Sequence, residues 1–266
     1  MVVPSFRMEF HIVEQPGVGT VEKALDVLFH LHEEGEPRGL TAIARALGLP
    51  KSSAHRLLGA LSRRGVVERD EDGRYRLGMA LVALGVGVRD REPVVRAARP
   101  VLEAEARATG EAVFLTAARG GAITVLDEVQ GLGFLRAAPR VGETVPVHAT
   151  AVGRLHLAFA PESVTLPAEP LVRYTPRTRT QRSAVLREVA LARRRGWAEN
   201  REEWTPGLVV VAAPVLAHGR LVATVALAAP SARLAAKDSE RVALRLVAAA
   251  TTISDRLEGR MERRTA

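Results

Sequence analysis

The 266-residue sequence has no cysteine, which excludes disulfides and thiolate metal sites and fits a reducing cytosol. Of its 38 basic residues only Lys23, Lys51 and Lys237 are lysines, and Asn200 is the single asparagine. That bias suits a thermophile and a GC-rich genome equally. No window approaches the roughly 18 apolar residues of a membrane span. Met1 to Val13 lack the basic start and apolar run of a secretory signal. The expected location is therefore the cytoplasm. Also missing are a Gly-x-Ser-x-Gly elbow, a His-Glu-x-x-His pair and a P-loop, and Gly131-Leu132-Gly133 is too short for a dinucleotide fingerprint. The chain is not expected to be an enzyme, and no cofactor is implied.

What remains is the composition of a folded protein, 47% hydrophobic and 26% charged, of a length that suits one small and one medium domain. The formal net charge of +8 favours a polyanionic partner. Between Arg38 and Arg76 nine basic residues face four acids, Glu68, Asp70, Glu71 and Asp72, so this stretch supplies five of the eight charges.

Along the chain, Thr20 reads as an N-cap ahead of Val21, Leu25, Leu28 and Phe29 at helical spacing. Gly35, Pro37 and Gly39 end that helix. A short second helix is expected from Thr41 to Leu47 with Gly48 at its end, and Pro50 fits the first turn of a third. The third carries Ala54, Leu57, Leu58 and Leu61 at i, i+3, i+4 and i+7. Val66–Arg69 and Arg74–Leu77 around Asp72-Gly73 predict a hairpin. A linking helix is expected from Met79 to Arg89, then another from Pro93 to Gly110. Beyond Glu111, strands are predicted over 112–117, 122–129, 134–138, 144–147, 208–216 and 221–228. Helices are predicted over 150–160, 183–195 and about 238–257, with a four-proline loop over 161–179. The fold class is α+β, with an N-terminal winged helix-turn-helix at 17–78, a linker helix at 79–92 and a larger domain at 93–260.

On a wheel of about 100° per residue, the third helix turns Ala54 and its leucines to one side. Ser52, Arg56, Gly59 and Arg63 fall opposite, flanked by Lys51 and His55. Donors, hydroxyls and a guanidinium on one helix face suit phosphates and base edges in a major groove, although a solvated face has the same composition. The hairpin adds Arg74 and Arg76 on alternate residues, placed for adjacent phosphates. Thr41, Lys51, Ser52, Ser53, His55, Arg56, Arg74 and Arg76 are the candidate contacts to double-stranded DNA.

Three runs, Thr20–Leu28, Leu40–Leu58 and Gly73–Gly78, resemble the DNA-binding domain of the IclR family of bacterial regulators. Val141–Gly153, Tyr174–Thr178, Arg195–Ala198 and Gly207–Val215 are similar to that family's effector-binding domain. The resemblance implies a homodimer or tetramer on a pseudo-palindromic operator, a GAF-like antiparallel sheet in the C-terminal domain, and a small-molecule effector that modulates a repressor. It places effector residues at Thr150, Ala151, Gly153 and Arg154, in the segment holding Asn200 and Glu203, and at Val210, Ala226 and Ala228. Where the family commonly has Asp, Cys and a Ser-x-Ser pair, this chain has Asn200, Val210, Ala226 and Ala228, losing a charge and three polar groups. Three alternatives stay open: a more apolar or aromatic effector; a ligand held by backbone amides with Glu202, Glu203 or Arg154; or a domain that serves only oligomerisation. Trp197 and Trp204 are candidates to stack on an aromatic ligand. His148, His156, His218, Glu143 and Glu199 match no recognised metal spacing.

Overall fold

The computed structural model describes residues 19–131 and 139–265 and divides into two units between Arg89 and Asp90. The first holds α1 (Thr20–Glu34), α2 (Leu40–Ala46) and α3 (Lys51–Arg63), then the antiparallel hairpin of β1 (Val67–Arg69) and β2 (Tyr75–Leu77). Val27, Leu31, Ile43 and Leu58 from the three helices close on Val67 and Tyr75 of the hairpin. Helical and hairpin residues thus share one core. Two backbone bonds, Arg38 N–H to Tyr75 O at 2.8 Å and its return at 2.7 Å, tie the segment before α2 to β2.

In the first unit the helix starts differ from the sequence expectation by single residues, whereas the last helix, expected to end near Leu257, runs to Thr265. Gly19, not Thr20, is the N-cap of α1, and the Glu22 carboxylate reaches back to the Gly19 N–H at 2.9 Å. Pro50 is the N-cap of α3, where an extended ψ of 137° is needed beside the ring-fixed φ. Gly48, at φ +61, turns the chain out of α2 in a Schellman arrangement: Leu49 N–H bonds Ala44 O and Gly48 N–H bonds Arg45 O. This turn sets the angle between the two helices.

The division falls within α4 (Ala80–Arg91), which has no buried residue. The second unit comprises α5 (Pro93–Thr109), β3 (Ala112–Arg119), β4 (Ala122–Val129), β5 (Thr144–Val145), α6 (Ala151–Phe159), α7 (Arg182–Arg195), β6 (Ala198–Arg201), β7 (Leu208–Ala217), β8 (Arg220–Pro230) and α8 (Ser239–Thr265). The six strands form an antiparallel sheet in the order β5-β4-β3-β8-β7-β6. Val113, Leu115, Val209, Val211, Val225 and Leu227 meet α5 and α8 on one face. Phe114, Ile123, Val210, Ala212, Ala226 and Ala228 meet α6 and α7 on the other. With both faces covered, the central strands read as nearly continuous apolar runs.

The expected strand over Phe134–Ala138 lies outside the described residues. β5 stops before Pro146, which has no N–H for a ladder. β6 has no strand signal in the sequence, because the polar Glu199, Asn200 and Arg201 hide its alternation, although Ala198 and Asn200 are its inward residues.

Two glycines on α3 and the hairpin base should respond oppositely to a methyl group. A Cβ on Gly78 would lie 2.2 Å from the Gly65 carbonyl oxygen, whereas one on helical Gly59 meets only Arg63 Nη1 at 3.8 Å. Denaturant titration should show Gly78→Ala losing about 1–3 kcal/mol to overpacking and Gly59→Ala gaining up to about 1 kcal/mol from helix propensity. Equal stabilities would contradict the tight approach at Gly78.

Candidate functional site

Burial divides α3 as the wheel divides it. Ala54, Leu57 and Leu58 are buried, while Lys51, Ser52, His55, Arg56 and Arg63 are exposed and Ser53 is intermediate. Among the described residues Lys51, His55 and Arg56 have neither an ion pair nor a hydrogen bond. No acid sits in the first turn of α3. Thr41 is exposed at the start of α2. One helix face therefore presents cations and hydroxyls whose donors are uncommitted.

The hairpin differs in a way the sequence did not reveal. Arg74 donates to Asp70 at 3.1 Å and to Asp72 at 2.7 Å, and Arg76 pairs with Glu68 at 3.2 Å. The Met79 N–H and the Arg76 guanidinium hold the Glu68 carboxyl below the usual range. Arg74 and Arg76 are exposed but engaged, and between Val67 and Leu77 four acids outnumber three arginines.

In the second unit the residues grouped by resemblance come together under α6. Asn200, Val210, Ala228 and Ala112 form one cross-strand row, and Ala198, Ala212, Ala226 and Phe114 form the next. All eight are buried, which makes a floor of mainly small side chains. Gly153 lets α6 approach closely, because a Cβ there would lie 2.0 Å from the Val147 carbonyl oxygen.

The polar groups at this place are bonded to one another. Thr150 Oγ1 accepts the Gly153 N–H at 3.1 Å and donates to Pro146 O at 2.7 Å. Asn200 Oδ1 accepts the Ala151 N–H at 2.9 Å, capping α6 from a neighbouring strand. Buried Arg154 donates to the Glu199 carbonyl and pairs with buried Glu203. Glu203 also takes Arg179 at 2.5 Å, and Arg179 reaches Glu188 at 3.1 Å. Thr178 Oγ1 donates to Glu203 O at 2.6 Å and Thr175 Oγ1 to Glu202 O at 2.7 Å, fastening Tyr174–Arg179 onto this turn. Within the network, Arg154 Nε alone is a buried side-chain atom without a partner.

The tryptophans separate. Trp197 packs toward the α5 and α8 side with Arg195 over its ring at 3.5 Å, while Trp204 packs toward the floor beneath α6. The histidines are not assembled either. His148 Nε2 meets Val172 O at 2.8 Å, His156 Nδ1 meets Ser163 Oγ at 3.3 Å, and His218 lies in the β7–β8 turn at φ +48. Among the described residues no group of three His, Asp or Glu could hold a metal. None of their helices is long and apolar enough to cross a membrane.

A three-helix unit with a hairpin wing, joined to a sheet unit with a small-residue floor, defines a helix-turn-helix transcription regulator with a sensing domain. Residues 20–71 match the IclR helix-turn-helix domain, and residues 86–255 match the bacterial transcriptional regulator IclR C-terminal domain. The chain belongs to the IclR family of DNA-binding transcription regulators, which carry an effector-binding C-terminal domain. It is 32% identical over 224 residues to the HTH-type transcriptional regulator XynR of Escherichia coli K12, covering 82% of this chain and 89% of that one. The Thermotoga maritima IclR crystal structure is similar at TM-score 0.75 and 28% identity, over 90% of this chain and 98% of that one. The Microbacterium hydrocarbonoxydans IclR homolog complexed with 4-hydroxybenzoate is similar in fold, at TM-score 0.78 and 24% identity, over 91% of this chain and all of that one (100%). Such relatives are named as regulators and not as enzymes.

Burial pushes the His156 imidazole down to about 4 from 6.5. The unfolded chain therefore takes the proton first as pH falls. The stability from neutral His156 is complete above pH 6.5 and declines toward pH 4, by about 3 kcal/mol in all. Unfolding free energies measured across this window should fall less steeply for His156→Phe than for the unaltered protein. Parallel curves would show that His156 does not titrate this way.

Proposed function

We propose that the chain is a sequence-specific repressor that reads a pseudo-palindromic operator with α3 and is released or modulated by a small, mainly apolar effector. Residues 17–78 serve DNA, 79–92 link, and 93–260 bind the effector and oligomerise. The observation that carries the DNA reading is the contrast in pairing. Lys51, His55 and Arg56 stand free on α3, so they contact DNA without first breaking an internal bond. Arg74 and Arg76 must exchange a carboxylate for a phosphate, which makes the wing a weaker grip than its arginine count implies. Ser52, Ser53 and Thr41 add hydroxyl donors along the same groove.

A second copy fits the bare apolar residues of the first unit and of α4. Val82, Leu84, Val86 and Val88 of α4 are 40% to 71% exposed, and Val21 and Leu25 lie one turn apart on α1 with their side chains largely in solvent. An apolar helix of this kind is stable in water when another apolar surface covers it. A homodimer supplies that cover and also matches two half-sites.

The apolar character of the effector rests on the floor beneath α6. Val210, Ala226 and Ala228 offer no polar side-chain atom there, and apart from Arg154 Nε the buried side-chain donors around them are already engaged with Pro146, Glu199 and Glu203. An ionised carboxylate buried without partners is costly. An aromatic or alkyl body gains about 25 cal/mol for each Å² of apolar surface it hides.

Binding titrations on operator DNA should show Arg56→Ala and Ser52→Ala each weakening the specific complex by about 1–3 kcal/mol with the fold intact. Equal loss on random duplex would overturn base reading by α3. For the sensing unit, 4-hydroxybenzoate, pyruvate and glyoxylate are the probes. Thermal melts should rise with the aromatic compound and not with the short acids at equal concentration, and Ala226→Ser with Ala228→Ser should reverse the order. Tight binding of short acids to the unaltered protein would refute the apolar site. No binding by either class would favour a domain kept for oligomerisation.

A further inference from the structure

Positive charge gathers in a second place, outside the helix-turn-helix. Residues 173–195 contain eight arginines and the single acid Glu188, a net +7 beside the +5 of residues 38–76, so the remainder of the chain is net acidic. Part of the excess is consumed internally. Arg177 pairs with Glu202, Arg179 is held between Glu188 and Glu203, and Arg195 covers Trp197.

The outward side of α7 is different. Val185 and Ala192 are its buried residues, and at about 100° per residue Arg187 and Arg194 fall near the opposite pole, with Arg182 and Arg193 exposed along one flank. Ser183, Leu186 and Ala190 complete this exposed arc, and no acid lies in it. Arg182 donates to the carbonyls of Leu166 and Pro167, and Arg193 to that of Ala158, so both keep their charge. Arg187 and Arg194, seven residues and thus roughly 10 Å apart along one face, make no ion pair or hydrogen bond among the described residues. Arginines near the C-terminal end of α7 complement its dipole, but Arg187 lies in mid-helix where that effect has faded.

We infer that the exposed arc of α7 is a second, sequence-blind grip on the phosphate backbone of duplex DNA, carried by the sensing unit. The inference rests on the DNA-binding reading above. The guanidinium is planar and always charged, and its fork of donors matches the oxygens of a phosphate. Once α3 has engaged an operator, tethering holds nearby duplex at high effective concentration, so a few such contacts suffice. An acidic protein surface is the other chemistry that such an arc fits, and the test separates the two.

The full-length Arg187→Gln/Arg194→Gln variant is titrated with a long duplex carrying the operator and with a long random duplex, over a range of salt. Two phosphate contacts account for a slope of about 1.8 in log K against log salt. The expected result is a slope shallower by about that amount per subunit on both duplexes, with the operator-to-random affinity ratio and the melting temperature unchanged. Arg187→Lys/Arg194→Lys, which keeps the charge, should restore the slope. Arg56→Ala in the same assay should lose the affinity ratio yet keep the α7 contribution to the slope, so failure of the α3 reading and failure of this one are distinguishable. An unchanged slope in the glutamine variant overturns the inference, including the case in which that variant instead loses binding to an acidic protein.

Discussion

A β-sheet covered on both faces leaves no water for polar groups inside it, and that constraint governs the second unit. β3, β8 and β7 are apolar on both sides because α5 and α8 lie on one face while α6 and α7 lie on the other. Any polar side chain admitted there must find a partner. Thr116 and Thr224 solve this by bonding across the β3–β8 pair at 2.6 Å. Asn200 solves it by capping α6. Arg154 and Glu203 solve it together, with Arg179 closing the far side. A buried ion pair of this kind adds little net stability. It does fix where α6, the 174–179 segment and the β6–β7 turn meet, and hence the shape of the floor beneath α6.

The first unit works under the opposite condition. Its core is small, and its chemistry is on the surface, where what matters is whether a charge is already spoken for. α3 and the hairpin both carry arginines and are both exposed, yet Arg56 is uncommitted while Arg74 and Arg76 are answered by Asp70, Asp72 and Glu68. Composition counts these residues alike. Their readiness to meet a phosphate differs because an internal carboxylate competes with it for the same donors.

α4 connects these regimes. Its sequence, Ala-Leu-Val-Ala-Leu-Gly-Val-Gly-Val, is too apolar for a solvent helix, and none of its residues is buried within the chain. An apolar helix with no buried residue is what a proposed second subunit covers.

The sequence by itself determined the elements whose signal is local. The leucine spacing of α3, the Asp-Gly hairpin, Gly48 after α2 and the long runs of β7 and β8 each depend on neighbours a few residues away, so periodicity and turn chemistry suffice. The resemblance carried the family and the cluster around α6. The strand Ala198–Arg201 was illegible because its inward asparagine breaks the apolar alternation, and it exists because β7 offers it a ladder. Only the tertiary structure decided which charges are paired and which polar groups are satisfied. Arg154 meets Glu203 across 49 residues and Ala151 meets Asn200 across the same separation. A one-dimensional pattern cannot report such bonds, because the geometry that makes them arises when distant strands and helices pack.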